Sequence, residues 1–379
     1  MENNATSYLM PNYGVPKIQL VRGAGVRVFD DEGREYLDFT AGIAVSSLGH
    51  GHPDLTAAIA TQAQTLLHTS NLYGLPERER LAQRLCELSG LRQVFFCNSG
   101  TEATEAALKL ARRYAWSQEQ PDRTDFVSLP GGFHGRTFGS LSVTPKPAYH
   151  EGFQPLLPGA VVPPSLEATP DYITETTAAC VVEVIQGEGG VWPVPHTLLQ
   201  AIERRCRDTG ALLVVDEVQT GVGRTGSMFA FQTAGIHPDI MTLAKGLGGG
   251  APIGAVLATG KVATAFQPGT HGSTFGGNPV AVAAAQVVLN QVSSPGFLER
   301  VQSVGRYLQQ RLEQRFAEVT GQGLMWGFTV SDADAFVESA LQAGLLVTKV
   351  GPTRIRMVPP LIVSESDVDE AMERISTAR

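Results

Sequence analysis

Apolar positions arrive in short runs separated by turn residues, and these runs alternate with stretches whose apolar spacing is helical. Two alternating segments, 26–29 and 36–39, flank the turn-rich DDEG at 30–33 and predict a hairpin near the N-terminus. Prolines at 53 and 76 each open a helical pattern, because the first helical turn leaves its N–H groups unpaired and loses nothing to the imino ring. The second of these helices ends near Gly90. Beyond it QVFFC (93–97), DFVSL (125–129), ACVVEVI (179–185), ALLVV (211–215), DIMTLA (239–244) and IGAVLA (253–258) read as strands alternating with helices. These runs are apolar at successive positions, which predicts strands covered on both faces, in an α/β fold with a mostly parallel central sheet.

After Gly277 the pattern turns helical, and the spacing of Phe297, Val301, Val304, Leu308, Leu312 and Phe316 predicts one long amphipathic helix. Short strand candidates follow in GLMWGFTV, LLVTK and RIRMV, with a helix around 336–341 among them, as in a smaller α+β domain. In SESDVDEAM a serine precedes an acid by three residues, a capping pattern for a last helix. The expected division is an N-terminal segment, 1–45, joining the smaller domain, a large domain over 46–280, and a linking helix with the C-terminal small domain over 281–379.

The length of 379 residues suits two or three domains. Charged residues make up 17% of the chain, below the usual share of about a quarter, which points to surface shared with a partner. A net charge of -8 has the wrong sign for a protein held by nucleic-acid phosphates. The opening MENNATSYLM lacks the basic and then apolar regions of a secretory signal, and no apolar run is long enough to span a bilayer. A cytoplasmic protein without membrane association is therefore expected. Cys86, Cys97, Cys180 and Cys206 show no C-x-x-C spacing and are expected to be free, mostly buried thiols. His50 and His52 stand in a turn before the helix at Pro53, and no metal site is expected.

LLVVDEVQTGVGRTG carries the first candidate chemistry. Gly221, Gly223 and Gly226 spell G-x-G-x-x-G, but in a dinucleotide fold the glycines follow the strand directly. Here Asp216 and Glu217 intervene, where negative charge would repel a pyrophosphate, and SMFAFQTAG is too short for the required packing helix. A second glycine cluster, 246–250, runs at once into Ala251 and Pro252 and fails for similar reasons. Asp216 instead ends an apolar strand, where open α/β sheets place their ligands. Lys245 directly follows another apolar run, and partial desolvation there would lower its pKa and expose an amine suited to Schiff-base formation. The segment Asn98-Ser99-Gly100-Thr101 leads from a strand into a strongly periodic helix, whose N-terminus makes an anion seat. It lacks the lysine of a P-loop. An amine for an imine, a carboxylate for a ring nitrogen and a phosphate seat together match the needs of pyridoxal 5'-phosphate.

DEVQTGVGRTG and KGLGGGAPIGAV, with NSGTEATEAALKLAR, GGFHGRT, VIQGEGGV, HGSTFGGNP and RMVPPL in the same order, resemble the signature of the class III, or ω-type, aminotransferases. The likeness runs from about Tyr13 to the C-terminus and implies the fold type I architecture of pyridoxal-phosphate-dependent transferases. It implies that Lys245 binds the cofactor covalently and shuttles protons, that Asp216 pairs with the pyridine nitrogen, and that Gln219 reaches the phenolic oxygen. Val218 and Phe133 would cover the two ring faces, with Ser99, Gly100 and Thr101 at the phosphate. Thr274 is similar to a residue that contacts phosphate from the neighbouring subunit, so a homodimer with sites at the subunit interface is implied. Arg356 resembles the arginine that holds the α-carboxylate of glutamate, and Arg136 the one that holds a distal carboxylate. Glu188 looks like a gate that pairs with Arg356 when an ω-amine donor enters. Ser273 and Tyr13 are counted with the substrate pocket.

Ile43, in AGIAVSSLGHGHP, stands where family members that take free ornithine carry a tyrosine for its α-amino group. An apolar residue there suits a donor whose α-nitrogen is acylated. The implied reaction moves the terminal amine of N2-acetylornithine to 2-oxoglutarate, giving glutamate. N-succinylornithine, N-succinyl-diaminopimelate and carrier-bound aminoadipate semialdehyde are the alternatives, with free ornithine and 4-aminobutyrate after them.

Overall fold

The computed structural model describes residues 8–377. The apolar runs build a seven-stranded sheet in the order Gln93–Cys97, Gly254–Ala258, Ile240–Leu243, Leu212–Asp216, Thr177–Val182, Asp125–Ser128, Ala160–Val161. Gly254–Ala258 runs antiparallel to both neighbours, and the pairs from Ile240–Leu243 onward are parallel. Every residue of Leu212–Asp216 is buried, and the period of two sorts its side chains onto two faces. Leu213 and Val215 pack with Leu199, Ile202 and Cys206 of the helix His196–Thr209. Leu212 and Val214 pack in a second core with Leu108, Leu110 and Ala111 of the helix Gly100–Ser117. Each such burial is worth about 1.5–3 kcal/mol, so the register is strongly specified. The same alternation turns Asp216 toward the face covered by Gly100–Ser117.

Leu20–Ala24, Arg27–Asp30 and Glu35–Asp38 form an antiparallel meander, completed by Leu345–Leu346 lying parallel to Glu35–Asp38. The first of these strands has no strand pattern of its own, being exposed along most of its length. A C-terminal sheet has the order Ala317–Gln322, Met325–Thr329, Arg354–Met357, Thr348–Lys349. LLVTK thus divides between two sheets rather than forming one strand. The long helix stops at Glu313, short of Phe316, whose ring instead stacks at 4.2 Å on Phe328 of the C-terminal sheet. The last helix, Glu365–Thr377, is capped as its pattern predicts: Ser364 Oγ accepts from the Asp367 N–H at 3.2 Å and Asp367 Oδ2 from the Ser364 N–H at 2.9 Å. Cys97, Cys180 and Cys206 are buried free thiols, and Cys86 is half-buried.

Candidate active site

Three neighbouring parallel strands end at one rim. Val182 pairs with Val215 and Asp216 with Thr242, so Glu183, Asp216 and Lys245 leave the sheet close together. All three line one cavity of ≈ 570 Å³, together with Tyr13, Ser99, Gly100, Thr101, Phe133, Arg136, Val218 and Gln219. Lys245 opens a short 3₁₀ turn with φ +43, a left-handed backbone in a non-glycine residue. Its ammonium has no hydrogen-bond or ion-pair partner among the described residues. Burial, then the positive field of Arg356, pulls its pKa down to about 8, against the opposing pull of Glu188, Asp216 and Glu183. Roughly a tenth of this amine is neutral and nucleophilic at pH 7, far more than at the ordinary lysine value.

Asp216 is 5% exposed; its Oδ1 accepts from the Val218 N–H at 3.0 Å and its Oδ2 lies 2.8 Å from His134 Nδ1. Burial opposes charge on His134, yet the bond to Asp216 and the fields of Asp216 and Glu183 outweigh it, so its pKa is raised. Its Nε2 is buried without a hydrogen-bond partner among the described residues. Glu183 accepts from the N–H groups of Phe133 at 2.9 Å and Gly187 at 3.3 Å, and burial pushes its carboxyl up to about 7 while His134 draws it back. His134 and Glu183 are absent from the residues that sequence reasoning singled out. His134 sits inside the quoted FHGRT, and Glu183 inside the apolar run ACVVEVI, where a lone acid among apolar residues was the available signal; that the strand stops at Val182 is decided by the structure.

Glu217, the second acid of the pair, is structural. Its carboxyl accepts from Thr220 Oγ1 at 2.5 Å and the Phe231 N–H at 2.8 Å, pinning the glycine loop, and burial pushes it up to about 7. The segment after that loop holds a five-residue helix, Ala230–Ala234, rather than a long packing helix, as the rejection of a dinucleotide site requires.

The expected anion seat falls at the N-terminus of the 18-residue helix Gly100–Ser117. Ser99 caps it by accepting from the Glu102 N–H at 3.3 Å, and the Glu102 carboxylate accepts from the Asn98 N–H at 2.6 Å. The Gly100 and Thr101 N–H groups find no acceptor among the described residues. A Cβ on Gly100 would lie 2.8 Å from Val218 Cγ1, so glycine here lets Val218 form a cavity wall. Thr101 Oγ1 is engaged by the N–H groups of Arg136 and Thr137, each at 3.1 Å, which ties the FHGRT loop to the seat. The Arg136 guanidinium lies 3.4 Å from the centroid of the Tyr149 ring.

Arg356 is 2% exposed, and its Nη1 donates to Glu188 Oε1 at 2.6 Å and to Gln219 Oε1 at 2.9 Å. Burial works against charge on Glu188, but the field and hydrogen bond of Arg356 outweigh it and hold the carboxyl below its usual range. Ile43 is 45% exposed and is not among the cavity's lining residues. It lies in a left-handed stretch, φ +46 to +65 over Ala41, Gly42, Ile43 and Ala44, and Val45 just beyond it does line the cavity. Ser273 lines a separate cavity of ≈ 820 Å³ but accepts from Asn98 Nδ2 at 3.3 Å, and Thr274 is exposed.

A desolvated amine, a buried carboxylate fixed by an imidazole, and unpaired helix N–H groups around one cavity are the working parts of a pyridoxal-phosphate enzyme. The chain belongs to the class III aminotransferases: the family described as Aminotransferase class-III matches residues 8–378. The chain is similar to the acetylornithine aminotransferase of Caldanaerobacter subterraneus subsp. tengcongensis, 48% identical over 97% of this chain and 95% of that protein. It is also similar to the solved N-acetylornithine aminotransferase of Stenotrophomonas maltophilia, with TM-score 0.84 and 37% identity over 97% of each chain. A PLP-bound amine transaminase from an uncultivated Pseudomonas species has TM-score 0.89 and 30% identity over 100% of this chain and 98% of that one. Pyridoxal phosphate is the cofactor of this family. Asp216, Lys245 and the Gly100–Thr101 seat share one cavity, so the donor set fits that cofactor.

Proposed function

We propose that this aminotransferase moves the terminal amine of N2-acetylornithine to 2-oxoglutarate, giving N-acetylglutamate 5-semialdehyde and glutamate, reversibly, as a step of arginine biosynthesis. The reading is carried by the Arg356–Glu188 pair beside Lys245. One buried cation, covered by a carboxylate that is itself 26% exposed, lets a single pocket serve two kinds of donor. With Glu188 in place Arg356 is neutralised and an ω-amine enters; with Glu188 swung aside Arg356 takes the α-carboxylate of glutamate. Arg136, on its aromatic support, takes the distal carboxylate. Pyridoxal phosphate, when bound, supplies an electrophilic carbonyl carbon and an electron-withdrawing ring. Lys245 offers the neutral amine that holds it and then carries a proton to and from the substrate carbon. With the cofactor bound, Asp216, held by His134, would face the ring nitrogen, and Phe133 and Val218 would wall the two faces. Gln219, which accepts from Arg356, would also serve the ring's phenolic oxygen, and Ser99, Gly100 and Thr101 would seat the phosphate.

The acetyl preference is supported by relatives 42–48% identical that bear the acetylornithine name; Ile43, apolar but outside the cavity's lining, supports it through the family resemblance alone. Tyr13 lines this cavity and belongs to the substrate pocket in this reading, whereas Ser273 lines a separate cavity and reaches this one only through its bond with Asn98. Thr274 serves the site of a second copy in a homodimer, which agrees with its exposure beside Phe275, 59% exposed. The division at 1–45, 46–280 and 281–379 is supported by Leu345–Leu346 pairing with the N-terminal meander; its residues 1–7, 378 and 379 lie outside the described residues. No helix among the described residues is long and apolar enough to cross a membrane, and the four free thiols suit a reducing cytoplasm. The test is kcat/KM for N2-acetylornithine, N2-succinylornithine, ornithine and 4-aminobutyrate with 2-oxoglutarate. N2-acetylornithine should lead, and a clear lead for free ornithine refutes the use made of Ile43.

A further inference from the structure

Arg224 stands in the glycine loop after Asp216 and Gln219, 2% exposed and without an ion-pair partner among the described residues. Its Nη1 donates to the carbonyls of Leu324 at 2.9 Å and Pro359 at 2.5 Å, and its own carbonyl accepts from the Leu324 N–H at 2.9 Å. Its Nη2 is buried with no hydrogen-bond partner among the described residues. Leu324 directly precedes Met325–Thr329, and Pro359 lies two residues beyond Met357, the end of Arg354–Met357. These strands pair with Gly327 opposite Arg356. One guanidinium therefore grips both strands, at one end, from the loop that carries Gln219.

The glycines make the burial possible. Gly223 and Gly226 have φ +85 and +84, and a Cβ on either would come within 2.6 Å of Val292 or 2.4 Å of Gln302. This is the role left to the G-x-G-x-x-G pattern. A buried cation held by carbonyls alone is a poor stability device, since replacing buried charge by apolar side chains is often neutral or stabilising. Burial accordingly pulls the guanidinium down to about 9. A rigid planar fork is, however, suited to setting the relative position of two carbonyls and a loop.

We propose that Arg224 is a positioning residue, which fixes where Arg356 stands relative to Gln219, Glu188 and Lys245 by clamping the two strands around Arg356 to the Asp216 loop. This rests on the reading of Arg356 as the seat of the glutamate α-carboxylate. The two half-reactions then separate the role from plain stability, because glutamate and 2-oxoglutarate use Arg356 whereas N2-acetylornithine meets it covered by Glu188.

The holoenzyme is compared with Arg224→Lys, Arg224→Met and Arg356→Gln. In Arg224→Met the KM for glutamate and for 2-oxoglutarate should rise about tenfold, with Arg224→Lys between it and the parent, since small misplacement of a charged fork is costly. The KM for N2-acetylornithine should stay within about twofold. KM does not depend on how much of a variant folds, so a poor folder still reports. The dissociation constant of glutarate, an unreactive dicarboxylate, should rise with the glutamate KM in calorimetry. Equal changes for both donors, or none for either, overturn the proposal. If Arg356→Gln weakens glutamate and the Arg224 variants do not, the positioning role alone fails. If Arg356→Gln leaves glutamate unmoved, the reading of Arg356 fails and takes the positioning role with it.

Discussion

Lys245 makes the cofactor-free protein less stable at neutral pH than it would be with an uncharged side chain there. The lysine drops from 10.5 to about 8, roughly two and a half units, which at ~1.36 kcal/mol per unit corresponds to about 3 kcal/mol. Its side chain keeps some contact with solvent, so a screened value of about 1–2 kcal/mol is expected. Between the folded and unfolded values the unfolded chain binds the proton and the folded one does not, so stability climbs with pH. The penalty is fully present below about 8 and is gone once the pH has risen through 10.5. Lys245→Met removes the penalty and adds a pH-independent packing difference. Urea unfolding of cofactor-free parent and variant, at equal protein concentration because assembly shifts apparent stability, reads both. The variant's stability relative to the parent should fall by about 1–2 kcal/mol between pH 7 and pH 10.5. A difference that stays constant over that range refutes the desolvation of Lys245 and, with it, the account of its nucleophilicity.

Two further changes probe the walls of the site. Gly100→Ala places a Cβ 2.8 Å from Val218 Cγ1 and pushes that wall into the cavity; overpacking of about 1–3 kcal/mol should weaken pyridoxal phosphate binding about tenfold or more in an absorbance titration. Unchanged affinity would remove Val218 from the cofactor's surroundings. Glu188→Ala leaves the buried Arg356 facing ω-amine donors uncovered, so kcat/KM for N2-acetylornithine should fall about tenfold while that for glutamate holds or rises. Equal losses for both donors would show that Glu188 is no gate. Because the folded Glu188 carboxyl lies below its usual 4.5, the stability its pair supplies is complete above that value and is lost only as pH falls through the lower one.

Strand positions were legible because each buried run carries its own apolar pattern, and the two residues that follow such runs, Asp216 and Lys245, could be read as facing one rim. The cap of the last helix, Ser364 with Asp367, was legible because capping is decided within four residues. The roles of His134 and Arg224 were not, and Glu183 showed only as a lone acid inside an apolar run. Their roles arise from pairings such as the 2.8 Å His134–Asp216 contact across 82 residues and the Arg224–Pro359 bond across 135, which no local pattern records. LLVTK looked like one strand because apolar content says that a segment is buried but not against which sheet. The local chemistry of the chain thus determined its elements and the kinds of group at their ends. Folding alone decided which ends meet, because charge, burial and hydrogen bonding at a site depend on distance in space rather than along the chain.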